Sequence, residues 1–164
     1  NSSPRVRWMN VKDLEFEINS AVIQPSRCLE FLAGTAHGAQ NIFMGIVRSR
    51  NRGRQVVAVE YDAFEPLAIA VLGEIATEAR SQFCSDARIF VWHRTGRLLP
   101  GDHSVLIAVS TPHRDEAYRA SRYVIEQIKL RVPIWKKESY DDGETEWLKG
   151  HALCQHVTEE GRHE

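Results

Sequence analysis

Apolar and polar positions alternate along this chain in two rhythms, one of two residues and one of three to four. Glu15-Phe16-Glu17-Ile18 alternates strictly, which predicts a short strand with one buried face. Pro25-Ser26 precedes a helix over about 27–36, with Ser26 as its cap, Cys28, Leu29, Phe31 and Leu32 turned inward, and Gly34 and Gly38 near its end. Asn41 to Val47 is apolar enough for a buried strand. Gln55 to Phe64 alternates again and carries the strand formers Val57, Val59 and Tyr61. The polar stretch 48–54 between them contains Gly53, where a turn needs it. Glu65-Pro66 opens a helix with Pro66 at its first position and an apolar stripe of Ala68, Val71, Leu72, Ile75 and Ala79.

Ile89 to Trp92 reads as a further strand. Pro100-Gly101-Asp102 reads as a turn, and Val105 to Val109 as the returning strand. After Thr111-Pro112 a helix runs over about 114–130, with Ala117, Ala120, Val124 and Ile128 on its inner face. Pro133 ends it and favours extended chain. Ile134–Tyr140 and Thr145–Leu148 then form a hairpin around Asp141-Asp142-Gly143-Glu144. Strands and helices in this order predict an α+β (mixed α/β) domain over 15–149, preceded by an N-terminal extension (1–14) and followed by a polar, mobile tail (150–164).

Composition narrows the function classes. The 164 residues suit one domain, and 43% hydrophobic and 26% charged residues are an ordinary globular balance. Twenty-one Lys and Arg against 22 Asp and Glu leave a net charge of -1, which argues against generic nucleic-acid binding. Three cysteines, Cys28, Cys84 and Cys154, with no CxxC pair fit neither a disulfide framework nor a zinc site. No apolar run reaches the roughly 20 residues of a membrane span. The opening Asn1-Ser2-Ser3-Pro4 has none of the character of a signal peptide, so a cytoplasmic location is expected.

Three places carry candidate chemistry. Gly45-Ile46-Val47-Arg48 puts a guanidinium where an apolar strand runs into a loop, where Arg can hold a phosphate or carboxylate by two parallel hydrogen bonds or simply be solvated. Thr111-Pro112-His113-Arg114-Asp115 lies where a strand yields to a helix N-terminus, a place that favours anions and equally a plain capping turn. Lys129 sits in the last turn of that helix, where it complements the dipole, and Lys136 follows a proline-fixed segment beside Trp135. Arg48, His113, Arg114, Lys129 and Lys136 in one pocket would repel one another unless an anion filled it. Phosphate-loop, HExxH, GxSxG and dinucleotide motifs are absent, paired carboxylates are not evident, and His93 is as readily structural as functional.

These residues carry a family resemblance. Gly45-Ile46-Val47-Arg48, Glu60-Tyr61-Asp62-Ala63-Phe64, His93-Arg94-Thr95-Gly96 with Pro100-Gly101-Asp102, His113-Arg114-Asp115-Glu116-Ala117-Tyr118, Lys129 and Pro133-Ile134-Trp135-Lys136-Lys137-Glu138 stand in one order and spacing. The set, from about Glu15 to Leu148, resembles the large subunit of molybdopterin synthase. The resemblance implies an α/β-hammerhead fold and a homodimer. It also implies a small ubiquitin-like sulfur-carrier subunit at each end, whose C-terminal thiocarboxylate enters the large subunit. The implied substrate is cyclic pyranopterin monophosphate and the product the dithiolene molybdopterin, with no metal and no cofactor needed for the sulfur transfer. Lys129 and Lys136 are the implied catalytic residues. Arg48, His113 and Arg114 are the implied contacts to phosphate and pterin, some of them reaching across the dimer. Two rivals remain: a non-catalytic docking module for the sulfur carrier, and an unrelated enzyme of phosphorylated small molecules.

Overall fold

A computed structural model describes residues 7–149 of the chain. The stretch at 150–164, with Cys154, and the first six residues lie outside the described residues. The elements in order are β1 (Arg7–Val11), β2 (Leu14–Asn19), α1 (Pro25–Leu32), β3 (Ala39–Ile46), β4 (Arg50–Asn51), β5 (Arg54–Ala63), α2 (Glu65–Gln82), β6 (Arg88–Arg94), β7 (Gly96–Leu98), β8 (His103–Thr111), α3 (Arg114–Arg131), β9 (Ile134–Tyr140) and β10 (Thr145–Lys149). They form two five-membered sheet systems. One runs β1-β2-β6-β8-β3, and the other β10-β9-β5-β4 with β7 also paired to β5. Neighbours are antiparallel except for the parallel pair β2–β6. The architecture is the expected α+β one.

Helices cover both faces of the first sheet. Alternation on β6 sends Ile89 and Val91 toward α2 and α3, where they meet Phe16, Ile18, Leu72, Ile75, Ala120 and Val124 in the main core. Phe90 and Trp92 point the other way, onto Cys28 and Leu32 of α1. This second cover explains a departure from the pattern-based expectation. β2 alternates in sequence, yet both of its faces are buried. The polar face holds Glu17, which pairs with Arg27, and Asn19, whose Oδ1 accepts from Trp92 Nε1 at 3.0 Å.

Three further details differ from expectation. α1 starts at Pro25 with Gln24 in the capping position, and it stops at Leu32, so only Cys28 and Leu32 are buried while Leu29 is exposed. In α2, Phe64 occupies the capping position, which puts Pro66 one place later than expected. β3 is apolar without being buried. It is an edge strand, and Ile42, Phe43 and Ile46 are exposed. The stripe of α3 is as expected, with Ala117, Ala120, Val124 and Ile128 all buried. β1, within the stretch expected as an N-terminal extension, adds an edge strand to β2.

The two sheets meet where the cleft described below opens. Phe64 N donates to Pro133 O at 3.2 Å, tying the β5–α2 junction to the α3–β9 junction. On the far side of α3, Arg131 bridges to Glu78 at 2.6 Å, and Tyr123 OH donates to the same carboxylate at 2.6 Å. Leu106, wholly buried on the interior strand β8, should cost about 2–5 kcal/mol when changed to Ala. Val57→Ala, at an exposed position, should cost less than about 0.5 kcal/mol. Urea denaturation checks both.

Candidate functional site

The site is built where α3 ends. After Arg131 the chain passes through Val132 and Pro133 and turns back as β9. Lys129 and Lys136 are seven positions apart in sequence, and this turn brings them to the walls of one cleft. The cleft has a volume of about 380 Å³ and is lined also by Phe43, Gly45, Ile46, Arg48, Tyr61, His93, Ser104, Val105, Ile125 and Ile128. Two small recesses adjoin it. One runs past Trp135 and Ile134, the other past Asn51 and Glu138.

Arg48 is placed by backbone. A register shift between Gly45 and Ile46 ends the β3–β8 ladder, and a Cβ on Gly45 would lie 2.7 Å from a Val105 methyl, so this approach needs glycine. Val47 is then pinned by the 100–102 turn: its N–H donates to Asp102 O at 2.9 Å and its carbonyl accepts from Gly101 N at 2.8 Å. Arg48 leaves from this fixed point, exposed, into the cleft. Gly53, at φ 78°, closes the β4–β5 hairpin beyond it.

Strand alternation selects the inward lysine. Lys136 and Glu138 share the inner face of β9, whereas Lys137 lies on the other face with its Nζ 5.6 Å from the Trp147 ring. Lys136 Nζ is 2.6 Å from Glu138 Oε1. Glu138 Oε2 accepts from Asn51 Nδ2 at 2.7 Å and Tyr140 OH at 2.8 Å. Burial alone would raise the Glu138 pKa, but the bonds from Lys136, Tyr140 and Asn51 outweigh it and hold the carboxyl below the ordinary glutamate range. The sequence reading missed this carboxylate. Lys136 and Glu138 two apart on a strand was the available signal. Tyr61 and Ser104 were also missed as cleft residues. Burial raises the Tyr61 pKa, and a hydrogen bond with Ser104 opposes the rise.

Of the five residues expected to converge, three do. Arg48, Lys129 and Lys136 line the cleft, while His113 and Arg114 are exposed at the opposite end of α3, roughly 22 Å from Lys129 at a rise of about 1.5 Å per residue. A second cleft, of about 450 Å³, lies between the β1–β2 turn and the loop after α1. Its Arg88 is occupied by Asp13 (3.3 Å) and the Ala33 carbonyl (2.6 Å), and its His37 by Ser110 (2.7 Å) and Asp86 (3.5 Å). Formally, Lys12 and Arg88 are balanced there by Asp13 and Asp86. At the α3–β9 cleft no described carboxylate pairs with Arg48 or Lys129. The smaller cleft is therefore the one with an unmet demand for an anion.

The described residues thus form an α+β domain with a net cationic cleft between two sheets. Residues 18–131 match the family described as MoaE protein. The chain is 46% identical over 141 residues to the molybdopterin synthase catalytic subunit of Synechococcus elongatus, covering 86% of each chain. It is 41% identical over 133 residues to the same subunit of Bacillus subtilis, covering 81% of this chain and 83% of that one. The crystal structure of molybdopterin synthase from Staphylococcus aureus superimposes with a TM-score of 0.77 at 40% identity, covering 85% of this chain and 98% of the other. The chain belongs to the MoaE protein family. No described helix is long and apolar enough to cross a membrane.

His93 adds a measurable electrostatic signature. It lies on the cleft floor, and burial lowers its pKa from 6.5 to about 4, against a smaller opposing effect of its bond to the Arg94 carbonyl. As pH falls from 6.5 toward 4 the unfolded chain takes up a proton here that the folded protein refuses, so this contribution to stability is complete above pH 6.5 and lost across that window. Between pH 7 and pH 5 the wild type should lose about 2 kcal/mol of unfolding free energy more than His93→Gln. Urea melts at the two pH values give the comparison.

Proposed function

We propose that this protein is the catalytic subunit of a molybdopterin synthase. It is a sulfurtransferase that takes sulfur from the C-terminal thiocarboxylate of a small ubiquitin-like subunit and places it in cyclic pyranopterin monophosphate, forming the dithiolene of molybdopterin. One observation carries this reading: Lys129 and Lys136 share a cleft with Arg48, and only Lys136 of the three has a carboxylate partner among the described residues.

The chemistry follows from that imbalance. Arg48 and Lys129 attract an anionic sulfur donor and an anionic substrate. Fixed cations in a partly dry cleft also stabilise negative charge as sulfur adds and the acyl group leaves. Lys129, with no ion pair among the described residues, is the first choice for proton transfer or direct contact with the reacting atoms. Lys136, held by Glu138, positions them. The carrier's extended tail needs a groove beside a free strand edge, and β10 is an outer strand of its sheet, with Trp135 of the adjoining β9 at the cleft.

The homodimer supplies the two absent residues. β3 has no charged residue from Ala39 to Ile46, has nothing described paired to its outer edge, and exposes Ile42, Phe43 and Ile46, whereas edge strands of monomers are usually blunted by charge or covered. Antiparallel pairing of two β3 edges about a two-fold axis sets the Ala39 end of one copy beside the Ile46 end of the other. Ala39 is the register partner of Thr111, so His113 and Arg114 of one copy then approach Arg48 and Lys129 of the other.

Reconstitution with a thiocarboxylated small subunit and the cyclic pyranopterin tests the reading. Dithiolene product should form, Lys129→Ala should reduce it by at least about a hundredfold, and Lys137→Ala should leave it within about threefold. A docking module would keep binding and show no loss in either variant, and an unrelated enzyme would turn over without the sulfur carrier. Sharing across the dimer has its own test. Mixing Lys129→Ala with His113→Ala protomers regenerates one intact site per mixed dimer, so activity should return, whereas sites contained in single chains would stay dead.

A further inference from the structure

We propose that His93 contacts the substrate, its Nε2 lone pair accepting a hydrogen bond from a ring N–H of the flat heterocycle that fills the cleft; this rests on the pterin reading above. His93 Nδ1 lies 2.8 Å from the Arg94 carbonyl oxygen. A carbonyl only accepts, so Nδ1 carries the proton and Nε2 the lone pair. The buried side-chain atoms left without a partner among the described residues are Arg94 Nε and Glu116 Oε2. His93 Nε2 is not one of them, nor is it bonded to any described residue, so it opens on the cleft that His93 lines with Lys129 and Lys136.

The chemistry of the surroundings gives this atom its role. Arg48, Lys129 and Lys136 can only donate hydrogen bonds, and His93 Nε2 can only accept one. The cleft therefore combines a cationic rim for an anionic group with an acceptor on its floor for an N–H. Its walls suit a planar ring: Tyr61 meets His93 edge-on with centroids 5.2 Å apart, and Phe43 and Ile128 stand nearby. An extended peptide tail satisfies its N–H groups on backbone carbonyls at a strand edge and has no need of this acceptor.

The protonation state separates an acceptor from a base. A group with a pKa of about 4 remains neutral through the physiological range, so its lone pair is always available. The same value makes it a weak proton acceptor near neutrality, where catalytic bases work best with a pKa near the working pH. His93 therefore reads the substrate and does not drive proton transfer. Removing one such contact should cost binding about tenfold, concentrated in KM for the pterin.

The experiment is steady-state kinetics in the reconstituted synthase, with pterin and thiocarboxylated small subunit varied separately. His93→Leu should raise KM for the pterin about tenfold, leave kcat within about threefold and leave KM for the small subunit unchanged. His93→Gln, which restores an acceptor, should recover part of the loss. Equal losses in both variants, an unchanged pterin KM, or a loss confined to the small subunit would overturn the proposal. If His93→Leu does not fold, ¹⁵N NMR of the wild-type imidazole decides: Nε2 should shift on adding pterin and not on adding small subunit. Absence of dithiolene product with the wild type would instead sink the synthase reading itself.

Discussion

The contact between Lys136 and Glu138 is what the cleft depends on. A carboxylate this deeply buried is tolerated only when its lone pairs are met, and three donors from two strands meet them: Lys136 and Tyr140 from β9 itself, and Asn51 from the short strand β4. The two-residue spacing of Lys136, Glu138 and Tyr140 aligns them on one face of β9, while Asn51 arrives with the hairpin that begins just after Arg48. Arg54 closes the same hairpin by stacking on the Tyr140 ring at 3.7 Å and binding Asp142 at 2.7 Å. The position of Arg48 is thus coupled to the orientation of Lys136, although 88 residues separate them in the chain.

That network also sets the balance of charge. Had Glu138 faced outward, Lys136 would stand uncompensated beside Lys129 and Arg48, and their mutual repulsion would weigh against the fold in the absence of ligand. With Glu138 in place, two cations without an ion pair among the described residues remain, enough to draw an anion and few enough to tolerate an empty cleft. The larger cleft near His37 and Arg88 shows the opposite solution, with its charges neutralised by Asp13 and Asp86. Volume alone favours the larger cavity, and charge balance separates the two.

Much of this was legible from residue pattern. The stripe of α3 follows from periodicity, because the helix buries one face, and the hairpin of β9 and β10 from the turn residues Asp141 to Glu144 between two short strands. The pattern misled where a second layer intervened. β2 reads as half-buried because Glu15 and Glu17 alternate with apolar residues, yet Arg27 of α1 neutralises both carboxylates and allows α1 to cover them. β3 reads as buried because periodicity reports hydrophobicity and not which strand lies at an edge. At the site, Arg48, Lys129 and Lys136 were legible as a set only through the family resemblance, since no local spacing tells that a helix end and two strands converge. Glu138 was missed because a Lys-Lys-Glu run on a strand resembles any solvated face until one knows which side is inward.

The direction of α3 bears on why the proposed dimer would serve better than a single chain. A helix C-terminus carries partial negative charge, so the cleft at the Lys129 end is disfavoured for anions by the backbone itself and must overcome this with side-chain cations. Lys129 and Arg131 in the last turn offset the dipole, but Arg131 is turned away to Glu74 and Glu78. The favourable pole is at the other end, where His113 caps the helix and Arg114 begins it, and there Asp115 and Glu116 in the first turn already satisfy part of its field. A single chain therefore holds its cleft cations at one end of α3 and its anion-favouring dipole at the other. An antiparallel two-fold arrangement superposes the two ends. In the proposed dimer the positive pole of one helix would face the Arg48 and Lys129 side chains of the other copy, and neither copy has to gather all five side chains when alone.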